Sequence, residues 1–107
     1  MSEKPYVAVV LYEATSDSPA YEPLHREDFV LVHAASEDEA RDTVRRRAEA
    51  ASGSHRNERG ELITWRCKHV VDVAQALDED LTRDADLSAR HFHGYDSYRR
   101  FEPLLSG

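Results

Sequence analysis

The sequence predicts an α+β fold: a four- to five-stranded, mostly antiparallel sheet with one long helix packed on one face and a short C-terminal helix. Three stretches carry this expectation. Tyr6–Tyr12 (YVAVVLY) is an unbroken β-branched and aromatic run; Phe29–Ala34 (FVLVHA) leads straight into a well-capped helix; and Leu62–Val73 alternates apolar and polar side chains along its length. At 107 residues, the chain has the length of one domain, taken as residues 1–107.

The first run suits a strand with both faces at least partly buried, and Pro5 stands at its entrance, where a missing N–H does least harm. From Glu13 to Glu27 the serines, acids and prolines break any period, which predicts a long loop. In the second strand Phe29, Leu31 and His33 point one way and Val30, Val32 and Ala34 the other.

The helix begins at Ser36. A serine followed three residues later by Glu39 is the capping-box pattern. Glu37, Asp38 and Glu39 stand at the positive end of the helix dipole, with Arg45, Arg46 and Arg47 toward the other end. Asp42 and Arg46 have the spacing of an i,i+4 ion pair. The apolar stripe is Ala40, Val44, Ala48 and Ala51, small residues that let a helix lie close on a sheet while burying little area. Ser52 and Gly53 end the helix, with Gly53 suited to a left-handed cap.

Asn57-Glu58-Arg59-Gly60 reads as a turn, with a short strand around His55 paired back across it. In the long strand that follows, Ile63, Trp65, Cys67, His69, Val71 and Val73 share one face if the alternation is unbroken. Ala74–Asp86 reads as an acidic loop and Leu87–Phe92 as a further strand. Tyr95–Leu105 suits a short helix bearing Tyr98, Phe101 and Leu105 on one face and limited by Pro103. That stripe is expected to close the open sheet face of its own chain, docking on a partner being the alternative.

Net charge is −7, which argues against a polyphosphate partner and hence against nucleic acid. The charges are segregated: Arg41–Arg59 holds six arginines against three acids, and Asp72–Asp86 six acids against one arginine. Such asymmetry suits a solvated surface, or the meeting of opposite faces. Cys67 is the one cysteine, so packing must stabilise the fold without disulfides. No apolar run has bilayer-spanning length and the N-terminus lacks a signal-like apolar region, so no membrane association and a cytoplasmic location are expected.

Six histidines invite a metal hypothesis. Cys67 and His69, like His91 and His93, stand at i,i+2 and share a face on a regular strand, so paired strands could bring all four together as a nitrogen–sulfur site. The ligand spacings of familiar zinc sites are missing, and no metal or cofactor is expected. An EF-hand begun at Asp78 fails where Arg83 and Ala89 replace the required glycine and glutamate. Cys67 as a nucleophile sits mid-strand between Arg66 and Lys68, where a small buried hydrophobe is the simpler reading. No catalytic set is identified; the candidate ligand-binding residues are His33, Trp65, Cys67, His69, His91 and His93.

Four motifs carry a family resemblance: YVAVVLYE (Tyr6–Glu13), VLVHAASEDEARDTV (Val30–Val44), NERGELITWRCKHVVDV (Asn57–Val73), and the ending around Ala89-Arg90-His91-Phe92. Together they resemble DUF4288, a family of small bacterial proteins of uncharacterised function, the Asn-x-x-Gly-Glu…Trp stretch being the most specific. The resemblance implies a small α+β domain and transfers no catalytic residue.

Two function classes follow. The first is a non-catalytic interaction or accessory module, immunity-like or a biosynthetic-pathway partner, acting as a homodimer or with another protein. The second is a small-ligand-binding domain or small enzyme with a histidine-lined pocket near His33, His69 or His91.

Overall fold

Strand β1 (Lys4–Ser16) is the spine of the molecule, because β2 (Leu24–Ala34) and β4 (Leu62–Gln75) both pair with it antiparallel. Helix α1 (Glu37–Ala51) follows β2, β3 (Gly53–Arg56) pairs antiparallel with β4, and α2 (Tyr95–Phe101) comes last. The strand order is β2-β1-β4-β3. The computed structural model describes residues 3–102, 104 and 105; the expected limit at Pro103 lies outside them.

The α+β architecture is as expected, with four strands. The expected fifth, Leu87–Phe92, is irregular backbone. The expected Glu13–Glu27 loop is also corrected: β1 runs to Ser16 and β2 begins at Leu24, so the connection is confined to residues 17–23. The polar residues that broke the apolar period occupy paired strand ends, where Glu13 faces His25 and Tyr12 faces Arg26.

Tyr6–Val10 is buried throughout, because β1 is central and apolar on both faces. Its even residues Tyr6, Ala8, Val10 and Tyr12 join Val32, Ala34 and Val73 beneath the helix stripe of Ala40, Val44 and Ala48. Ala51, expected in that stripe, is exposed. A helix of 15 residues is about 22 Å long, enough to cross a four-strand sheet that is roughly 14 Å wide between its outer strand axes. It carries the chain from the β2 edge to the β3 edge.

Ser36 caps α1 as expected: its hydroxyl accepts from the Glu39 N–H at 3.2 Å. The returning arm of the box differs, since Glu39 accepts from Ala35 N–H at 3.3 Å. The expected Asp42–Arg46 pair is replaced by Arg45–Asp42 at 3.6 Å, while Arg46 donates to Thr43 Oγ1. Gly53 is not a left-handed cap; the chain leaves α1 through extended Ser52, and Gly53 opens β3 at once. The left-handed glycine is Gly60, at φ 76° in the Asn57–Gly60 turn. No described helix is long and apolar enough to cross a membrane.

Candidate functional site

Strand β4 departs from simple alternation twice. Val9 pairs with Asp72 and Val10 with Val70, which leaves Val71 as an extra residue; Leu11 pairs with His69 and Tyr12 with Cys67, which leaves Lys68 as another. Each is a β-bulge, and each reverses the phase of the strand by one residue. Cys67 and His69, expected on one face, therefore lie on opposite faces. Cys67 is half-buried beside the core under α1, and His69 is exposed on the other side of the sheet.

The remaining candidate residues are dispersed. His33 is exposed opposite Pro5 on the β2 edge, seven β1 positions from the Tyr12–Cys67 pair, or about 23 Å along a strand. His91 and His93 stand in irregular, exposed backbone before α2. The nitrogen–sulfur convergence of Cys67, His69, His91 and His93 is thus undone by a bulge and a missing strand. Among the described residues no group of three or more His, Cys, Asp or Glu side chains could hold a metal ion.

Trp65 is half-buried against the core, and its ladder partner Gly53 stands two residues after the end of α1. The Arg26 guanidinium lies 4.7 Å from its ring centroid and 5.0 Å from that of Tyr12, and pairs with Asp28 at 2.8 Å. This cluster adds to the core by covering two aromatic rings with a cation. Burial, then the neighbouring Cys67 and Asp28, push the Tyr12 phenol above its usual range, with Arg26 opposing. Burial alone raises the Cys67 thiol, the reverse of what a nucleophile requires.

The other face of the sheet has no helix on it. Three rows cross it: Leu31–Val7–Ala74, Phe29–Val9–Asp72 and Glu27–Leu11–His69. Val7 and Val9 are buried, yet Phe29 is 72% exposed and Leu31 46%. At one end of this face Glu13 accepts from Lys68 Nζ at 3.0 Å and lies 2.9 Å from His25 Nε2. The Lys68 bond first, and then His25, hold the Glu13 carboxyl below its usual range.

Beside this face runs the C-terminal arm. Phe92 stacks on Tyr98 with ring centroids 5.0 Å apart, but α2 has no buried residue, and Tyr95 and Phe101 are 63% and 69% exposed. The expectation that this stripe closes its own sheet is not met: the arm stands off, and an open cleft of about 610 Å³ is lined by Glu27 on β2 and by Arg90, His91, Phe92, Tyr98 and Phe101 on the arm. The cleft contains His91 but neither His33 nor His69.

Sequence reasoning missed Glu13, His25, Arg26 and Glu27 because they were assigned to a loop, and Asp28 because it fell between that loop and the strand begun at Phe29. The available signal was the spacing of Arg26, Asp28 and Val30, which continues the helix-facing side of β2 backward from Val32. The turn was legible, and its chemistry is now explicit. Asn57 Oδ1 accepts from Arg59 and Glu61 N–H at 3.0 and 2.9 Å, and its amide donates to Glu61 Oε1 at 2.9 Å.

Comparison with known families finds a match over residues 5–89 to DUF4288, a domain of unknown function. No curated protein and no solved structure matches the chain.

Proposed function

Starting from a chain that belongs to the DUF4288 family, we propose that it is a non-catalytic interaction module that docks a protein on its open sheet face. One observation carries this reading. Phe29 and Leu31 remain exposed on a face whose centre, Val7 and Val9, is dry, and the apolar arm beside it is unburied. Contiguous apolar surface rimmed by charge marks association sites. The rim here is Glu27, His69, Asp72 and the Glu13–His25–Lys68 cluster.

The partner is either another copy, giving a homodimer, or a different protein, as in an immunity-like or biosynthetic-pathway role. A lone, half-buried Cys67 suits a reducing cytoplasm. The test is site-specific photocrosslinking in the producing cell. A crosslinker at Phe29 is expected to give discrete protein adducts, and one at Arg46 on the solvent side of α1 none. Equal yields from both positions, or no adduct from Phe29, count against docking on this face.

A second reading has one observation behind it. The cleft between β2 and the arm has the volume of small-molecule sites and combines Glu27, Arg90 and His91 with aromatic rings. A small-ligand-binding domain or small enzyme would use that cleft. Ligand-induced chemical-shift changes confined to His91 and Tyr98 would favour it over protein docking.

A further inference from the structure

We infer that the occupant of the open face is a second copy of this chain, with the two sheets meeting about a two-fold axis and each C-terminal arm gripping the partner's sheet. This rests on the docking reading above and names its partner.

The area is the first argument. A folded monomer of 12.2 kDa is expected to expose about 6,100 Å². This chain exposes 8221 Å², an excess of about 2,100 Å². Its radius of gyration is 16.9 Å, where a compact chain of 107 residues has about 13 Å. A standard interface removes about 800 Å² from each partner, so the excess is ample for a dimer that includes the arms.

Self-complementarity is the second argument. A two-fold interface must pair one patch with itself, so that patch needs both halves of every contact. The sheet half presents Phe29 with the acids Glu27 and Asp72. The arm half presents Phe101 with the base Arg90, both of which line the same cleft. Rotating one copy onto the other brings arm to sheet twice, with apolar against apolar and base against acid. The arm has three arginines against two acids between Leu87 and Glu102, in a chain of net charge −7. At the interface it therefore sets a basic segment against the acids of the partner's sheet. It also falls almost wholly beyond residues 5–89, so the grip is a property of this chain rather than of the family match.

The test is sedimentation equilibrium of the full chain from about 1 to about 200 μM, with dissociation expected below about 10 μM. The expected mass is twice the monomer's 12.2 kDa. Phe29→Glu and Phe101→Glu change opposite halves of the contact, and each is expected to weaken association at least about 100-fold. Both side chains are mostly exposed, so thermal melts of the variants at monomeric concentrations should match the parent, which separates lost association from lost folding. A parent that stays monomeric throughout overturns the inference. In that event an apolar dye separates the two levels: dye binding that Phe29→Glu abolishes leaves the docking reading standing. A compact monomer with no dye binding means that the arm covers its own sheet, and both readings fall.

Discussion

Val44→Ala tests how α1 is held to the sheet. Val44 is 1% exposed and is the largest fully buried side chain on the helix, between Ala40 and Ala48. Removing two methyl groups forfeits about 1.6 kcal/mol of transfer free energy. If the site does not collapse, about 50 Å³ of cavity adds roughly 1.2 kcal/mol. Alanine's better helix propensity returns about 0.5 kcal/mol. The net expectation is a loss of about 2 kcal/mol, a large share of the 5–15 kcal/mol typical of a domain. For a chain of this length that lowers the melting temperature by roughly 10 °C. Urea unfolding followed by far-ultraviolet circular dichroism and by Trp65 fluorescence measures it. Arg45→Ala on the exposed side is the control, expected within about 0.5 kcal/mol of the parent. A Val44→Ala loss below about 0.5 kcal/mol would refute the reasoning, because the helix would then be held by something other than its stripe.

Three shorter tests address separate features. Gly60→Ala should cost about 1–2 kcal/mol from backbone strain alone, since φ is 76° and an added Cβ meets nothing within 4 Å; an unchanged urea midpoint refutes it. Alkylation of Cys67 at mildly alkaline pH should be at least about tenfold slower than that of a free cysteine and become ordinary in denaturant, because burial raises the thiol; equal rates would contradict its placement beside the core. For Glu13, a carboxyl held below its usual 4.5 contributes stability present above that value and lost as pH falls through the lower folded value. Glu13→Gln should therefore flatten the acid limb of a melting-temperature profile below about pH 4.5 and leave the neutral-pH slope unchanged; a parallel curve refutes it.

What was legible in the sequence was local or strongly periodic. Ser36 and Glu39 announce the start of a helix from neighbouring residues alone, and Tyr6–Tyr12 announces a central strand by having no polar side. The Asn57–Gly60 turn belongs with these, because one side chain and one glycine build it. The far end of the β1–β2 hairpin was not legible. There Arg26 covers two rings with a guanidinium in place of an apolar side chain, and composition resembles a loop. The grouping of Cys67 with His69 failed for another reason: counting by two continues through Lys68, and nothing in the residue types marks the partner strand's failure to keep step. The arm escaped because an apolar stripe says what must be covered and not by which chain.

The bulges have a consequence for how this chain can change length. Lys68 and Val71 are surplus to the pairing, so either can leave the chain without any other β4 side chain changing face. Losing Lys68 sacrifices its bond to Glu13, whereas Val71 leaves behind only a side chain that was 40% exposed. Deleting a paired residue such as Val73 instead brings Asp72 or Ala74 opposite Ala8, in place of a buried valine. A strand at the heart of the sheet thus contains two built-in slip joints, and single-residue deletions are best absorbed there rather than at a loop tip.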